Sequence, residues 1–302
     1  MNRAGFDHWD MRSWVRSKPR RFADVEDGKF FFSSEINPLF TQPEVINAPE
    51  PTRQRLLVQA LYVHLEFTIQ LETTLINKVL ATVRSSTDYS WISDRNRRDL
   101  LRIYADEGGH AEMYQSLMLS VKDMTSVEPI AYAPLFIRAI DNLASSSDVP
   151  SSLFELAAAV VSETAITGTM SHVPQDQSVQ TVVRQVIADH ASDEGLHHSF
   201  FRQLLAEMWP RIPTETRRSI GVIIPEIISA FLEPEESILV GILEGTGHNF
   251  GDINDCAHRA LGAPRTRQQI RQWSRPCIKA FQDAGALGDP AVLNRFRQFH
   301  DF

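Results

Sequence analysis

Apolar residues recur at helical spacing in four long stretches of this chain. Between Thr52 and about Arg84 no Pro or Gly interrupts, and Leu57, Leu61, Leu65, Thr68, Leu71, Leu75 and Val79 fall three or four apart, the mark of an amphipathic helix. Ser93 or Asp94 is placed to cap a second helix running to about Lys122. A third starts at Asp148, Ser151 or Ser152 and passes through Leu156, Ala159 and Val160 to Met170. A fourth runs from about Gln177 to Met208 and is ended by Pro210 and Pro213. Two more amphipathic helices are predicted near 214–232 and 266–284. Strand signals are almost absent. The chain therefore reads as all-α, a four-helix bundle with additional peripheral helices.

Residues 1–50 are irregular, with Trp9, Trp14 and Phe30-Phe31-Phe32 scattered through them and Pro43, Pro49 and Pro51 marking their end. They predict an arm, with one short strand or helix, that packs onto the body. The expected organisation is a single domain over 1–302: an arm at 1–50, a core at 51–210 and C-terminal helices at 211–302.

Composition narrows the class. Of 302 residues, 43% are hydrophobic and 23% charged, the balance of a globular protein. A net charge of -8 without a large basic block argues against nucleic acid as a partner. No apolar run is long enough for a transmembrane helix, and Met1-Asn2-Arg3-Ala4-Gly5 does not open a secretory signal. With only Cys256 and Cys277, at no metal-type spacing, free thiols and a cytoplasmic location are expected.

The chemistry lies in a pentapeptide pattern that occurs twice: Asp106-Glu107-Gly108-Gly109-His110 and Asp193-Glu194-Gly195-Leu196-His197. Residues three apart share a helix face, so each copy sets a carboxylate beside an imidazole. Four-helix di-iron carboxylate proteins combine two Glu-x-x-His helices with a lone glutamate from each of the other two. Glu72 and Glu163 supply those lone glutamates, each set among apolar neighbours where a carboxylate needs a cation. The central helices thus read Glu, Glu-x-x-His, Glu, Glu-x-x-His. Four carboxylates balance two ferrous ions, or two ferric ions with one bridging oxo group. Mixed imidazole and carboxylate donors suit iron or manganese rather than calcium or magnesium.

Other residues extend this constellation. His190 lies four before Glu194 and seven before His197, and its spacing fits either a further ligand or a neighbouring histidine. His198 points elsewhere. Asp106 is expected to orient His197 across the bundle, and Asp193 to orient His110, by accepting each ring's other N–H. Thr167, four residues after Glu163, either faces an O2 pocket as a catalytic group or bonds back to its own helix. Tyr104, one turn before Glu107, either lines the pocket or packs. Gly108, Gly109 and Gly195 each cost a helix about 1 kcal/mol relative to Ala; they allow close helix approach or leave space beside the metals.

With these residues in place, the chain resembles the p-aminobenzoate N-oxygenase family of ferritin-like di-iron oxygenases over most of residues 50–210. The resemblance rests on His190-x-x-x-Glu194-x-x-His197, on the separation of Glu72 from the Glu107/His110 motif, and on the position of Glu163. It implies seven metal ligands: Glu72, Glu107, His110, Glu163, His190, Glu194 and His197. It also implies two iron ions in preference to manganese, O2 and a small-molecule or carrier-bound amine as substrates, an electron donor and a homodimer. The implied activity is oxidation of an arylamine or amino-acid-derived amine to hydroxylamine, and onward to nitroso or nitro, in a biosynthetic pathway. The ligand set alone leaves open a di-iron C–H hydroxylase or desaturase, and a ferritin-like ferroxidase or iron-binding protein.

Overall fold

The structure is a computed structural model that describes residues 5–21, 25–145, 147 and 149–300, with the side chains of all but 167–169 and 300. Its helices are α1 (Trp9–Arg12), α2 (Trp14–Ser17), α3 (Pro43–Ile46), α4 (Glu50–Gln70), α5 (Asn77–Ser85), α6 (Asp94–Thr125), α7 (Leu135–Ser145), α8 (Ser151–Met170), α9 (Thr181–Met208), α10 (Thr214–Leu232), α11 (Glu236–Gly245), α12 (Ile253–Gly262), α13 (Pro264–Asp283) and α14 (Pro290–His300). No β-strand forms among the described residues, and no helix there is long and apolar enough to cross a membrane. The all-α bundle has the ferritin-like plan.

α4 and α5 are one rod joined by a π-helical turn, Leu71–Ile76. This turn holds Glu72. The sequence predicts an unbroken α-helix here, because a π turn has no periodic signature of its own. Its wider register is partly compensated by two hydroxyls, Thr73 Oγ1 donating to the Ile69 carbonyl and Thr74 Oγ1 to that of Gln70. π turns of this kind are common where a helix must re-aim a functional side chain.

α6 begins as expected, with the Ser93 hydroxyl accepting from Asn96 N–H at 3.2 Å. α8 begins at Ser151; Asp148 lies outside the described residues. α9 starts at Thr181, later than the apolar pattern suggested. Its approach is held extended by the arm: Phe30 N–H donates to Ser178 O and Gln180 N–H to Phe30 O, both at 2.8 Å, around an isolated bridge between Phe30 and Val179.

α8 is the innermost helix. Phe154, Leu156, Ala158, Ala159, Val160 and Val161 are all fully buried, on every side of the rod, as an all-round apolar sequence requires. It packs on α9 and α5 within the bundle and on α7, α10 and α13 outside it. The C-terminal helices therefore cover the back of the bundle. α7, α11, α12 and α14 escape the sequence reading because ten or eleven residues are too few to establish a period. Cys256 and Cys277 are both free and buried.

Candidate metal centre

The four glutamate and histidine positions of the doubled motif, the lone Glu72 and Glu163, and His190 converge between α4/α5, α6, α8 and α9. Glu72, Glu107, His110, Glu163, His190, Glu194 and His197 are all at least 97% buried. Their donor atoms form two overlapping groups able to hold a metal ion. One comprises Glu72, Glu107, His110, His190 and Glu194; the other comprises Glu107, Glu163, Glu194 and His197. Glu107 and Glu194 are common to both, as expected of carboxylates shared by two ions.

Distances define which atoms face inward. His197 Nδ1 lies 2.9 Å from Glu107 Oε1, 3.1 Å from Glu194 Oε1 and 3.9 Å from Glu163 Oε2. His110 Nδ1 lies 3.5 Å from Glu107 Oε2 and 3.7 Å from Glu194 Oε1. His190 uses its other nitrogen, Nε2, at 3.0 Å from Glu72 Oε1 and 3.1 Å from Glu194 Oε1. The outward nitrogens of the two motif histidines meet aspartates across the bundle: His110 Nε2 lies 3.2 Å from Asp193 Oδ2, and His197 Nε2 3.4 Å from Asp106 Oδ2. Each motif thus offers its histidine to the aspartate of the other.

The donor set fits cations. Both carboxylate oxygens of Glu72 and of Glu107, with Glu163 Oε2, Glu194 Oε2 and His110 Nδ1, are buried without a hydrogen-bond partner. Such groups are costly in a folded interior unless a cation is bound. Electrostatics agree. Burial, then neighbouring Glu107, pushes the Glu72 carboxyl well above the usual range. Burial, then Glu194, does the same to Glu163. For Glu194 burial acts upward but is outweighed by His197 and by hydrogen bonds with His190 and His197, which hold it well below. Burial would lower His197, but Glu194 and Glu107 outweigh it and raise this imidazole far above its ordinary value. Without cations, protons must supply the centre's positive charge; metal ions displace them.

The arm completes the centre, and sequence reasoning missed this. Trp9 Nε1–H donates to Asp106 Oδ2 at 2.8 Å, and the buried Ser13 hydroxyl to Asp106 Oδ1 at 2.6 Å. Trp14 N–H donates to Asp193, 2.9 Å from Oδ2. Arg21 grips Asp189, next to His190, through two bonds of 2.8 and 3.1 Å. Phe6 stacks on the His197 ring at 6.3 Å. Gly109 is explained by this packing: a Cβ there would meet Val15 Cγ1 at 2.3 Å, whereas Gly108 and Gly195 face open space. No local pattern marks such contacts, because the arm is irregular and its partners lie about ninety or more residues away.

Two further residues belong to the surroundings. Tyr114, four after His110, is fully buried with its ring edge-on to His190 at 4.9 Å, and its hydroxyl has no partner. His64, two turns before Glu72, lies 6.0 Å from the Tyr114 ring. Burial, then His190, pushes its imidazole down to about 4, so it is neutral at pH 7. Helical spacing alone could have found both. Tyr104 is a correction: it is 45% exposed on the outer face. The buried stripe of α6 runs Leu100, Ile103, Asp106-Glu107, His110-Ala111 and Tyr114, one residue away from the register that would bring Tyr104 inward. The Thr167 side chain lies outside the described residues.

A helical bundle with two carboxylate-sharing donor groups defines the class of two-metal carboxylate proteins. Within it, residues 6–285 match the family model of p-aminobenzoate N-oxygenase AurF. The chain belongs to the AurF p-aminobenzoate N-oxygenase family, whose members are di-iron N-oxygenases, with di-manganese in some. No curated protein matches it.

Proposed function

We propose that the chain binds two iron ions, in preference to manganese, through Glu72, Glu107, His110, Glu163, His190, Glu194 and His197, and uses O2 to oxidise an amine nitrogen. The balanced first step is R–NH2 + O2 + 2 e– + 2 H+ → R–NHOH + H2O, with an electron donor supplying the two electrons. The hydroxylamine is open to further rounds giving the nitroso and nitro levels. The iron pair, when bound, supplies O2 binding and redox equivalents.

The chain's own residues do the rest. Glu107 and Glu194, common to both donor groups, would hold the two ions together, and Glu72 and Glu163 would add one carboxylate each. Asp106 and Asp193 accept the outer N–H of His197 and His110, which fixes both rings with Nδ1 turned inward. Trp9, Ser13 and Trp14 hold those aspartates and close the arm side against water. The observation that carries this reading is the overlap of the two donor groups at Glu107 and Glu194 in a chain of this family.

The test is a single turnover of the iron-loaded, reduced protein with 18O2 and a panel of aryl and amino-acid-derived amines, read by mass spectrometry. One atom of 18O on nitrogen is the expected product. Oxygen found on carbon, or iron oxidised with every amine left intact, would overturn the reading.

A further inference from the structure

A cavity of about 220 Å3 lies between α4, α10, α11 and the arm, lined by none of the seven candidate ligands but by residues one helical turn from two of them. Its nearness is set by the helices. Thr68, in its wall, lies one turn before Glu72, and Ile166, also in its wall, lies three residues after Glu163. His64 lines it too and connects through the Tyr114 ring to His190. His64 Nε2, on a residue of the cavity wall, is a buried polar atom without a partner. A polar head group that donates and accepts hydrogen bonds satisfies it, and an amine is such a group.

Most of the wall is apolar, with Phe32, Phe67, Phe231 and Trp273 among its rings. A dry apolar cavity of roughly 150 Å3 is enough for benzene, so a substituted aromatic ring fits here. The charged groups of the wall have one sign. Among the described residues no Lys or Arg lines it; its carboxylates are Glu233 and Glu235, and its histidine, His64, is neutral. Glu235 is half-buried and held in place, accepting from Leu135 N–H at 2.7 Å and from the Tyr132 hydroxyl at 3.3 Å. A substrate carboxylate entering this space would lose its water, find no cation in the wall, and face the Glu235 carboxylate, which only Arg138, outside the wall, offsets.

We propose that this cavity is the amine site and that it selects an uncharged arylamine, with the amine at His64 and no acidic group on the ring, so that p-aminobenzoate is disfavoured. The proposal rests on the N-oxygenase reading and names its substrate class. Glu235 acts as a specificity residue by repelling anionic rings.

The test compares a matched pair, p-aminobenzamide and p-aminobenzoate, binding to the iron-loaded ferric protein by calorimetry, with N-oxidation of each measured separately. The amide is expected to bind at least about tenfold more tightly. In Glu235→Gln, which keeps acceptors for Leu135 and Tyr132, the gap should shrink to within about threefold; in Glu235→Lys it should reverse. Equal or tighter binding of p-aminobenzoate to the unaltered protein, or a preference that Glu235→Gln leaves unchanged, overturns the proposal. Binding and turnover separate the two claims. If p-aminobenzoate binds more tightly and is oxidised at nitrogen, the selectivity falls and the N-oxygenase reading stands. If the amide is preferred in binding but no amine is oxidised, the selectivity stands and the reading falls.

Discussion

The two halves of the metal centre are built from one repeated motif and yet are unequal. One donor group contains five residues, Glu72, Glu107, His110, His190 and Glu194; the other contains four, Glu107, Glu163, Glu194 and His197. The repeat contributes equally to both: a histidine to each, and the two shared glutamates. The lone glutamates also divide evenly. What breaks the symmetry is His190, which has no counterpart on α6, where the matching position is Ile103. The half with the extra imidazole is also the half beside Tyr114 and, through its ring, His64.

The most severe way to test this division is to remove a shared donor. Glu107→Ala or Glu194→Ala takes one ligand from both positions, and we expect both ions to be lost and activity to fall by at least about a thousandfold, a loss of some 4 kcal/mol in barrier terms. His190→Ala removes a donor from one position only. It should retain one tightly held ion per chain, with the second weakened. Metal analysis after dialysis, with circular dichroism to verify the fold, separates these outcomes; equal loss in all three variants would mean the halves are not distinct.

A smaller effect is expected one layer out. Asp106 and Asp193 do equivalent work on opposite histidines but are held differently, Asp106 by two side chains and Asp193 by a backbone N–H. Asp106→Asn and Asp193→Asn should each cost about 10–100-fold in metal affinity or activity, the usual range for partners of ligating histidines. Ser13→Ala, which also removes the cap that Arg16 N–H finds on α2, should act on the centre's metal affinity through Asp106. Its loss should therefore vanish in the Asp106→Asn background, and persist in Asp193→Asn. Additive effects in both backgrounds would break the pairing.

The mildest test is pH. Glu72 and Glu163 are raised by burial and neighbouring glutamates, and His197 is raised by Glu194 and Glu107. A group with a raised folded pKa contributes stability that is complete below its unfolded value and lost as pH rises through the folded one. Glu194, held low, already contributes fully above its ordinary range and adds no slope near neutrality. The metal-free protein should thus lose thermal stability from pH 6 to 8, while the iron-loaded protein, whose carboxylates are neutralised by metal, should change less. The Tm difference between the two should widen with pH; a difference that narrows would contradict the assigned directions.

How much of this was legible in the sequence depends on the distance over which each feature is encoded. The candidate ligands sit on long helices at spacings of three and four, so the convergence of Glu107 with His110, and of Glu194 with His190 and His197, could be read directly. The cross-bundle pairing of Asp106 with His197 followed from the recurrence of the motif. Tyr104 failed because spacing fixes a residue's angle only to within about one position, and the stripe ran through Ile103. The π turn at Leu71–Ile76 left no periodic trace. The arm's grip on Asp106, Asp193 and Asp189 could not be inferred at all, since Trp9, Ser13, Trp14 and Arg21 lie in short or irregular segments whose partners are set by tertiary packing. The cavity depends on the same kind of distant assembly, between α4 and the helices after residue 213.

The most direct measurement of the central claim is anomalous diffraction at the iron edge from crystals of the iron-loaded protein. Two peaks per chain are predicted, one inside each donor group, with the Glu107 and Glu194 carboxylates lying between them. A single peak, or two peaks with neither Glu107 nor Glu194 in contact with both, would contradict it.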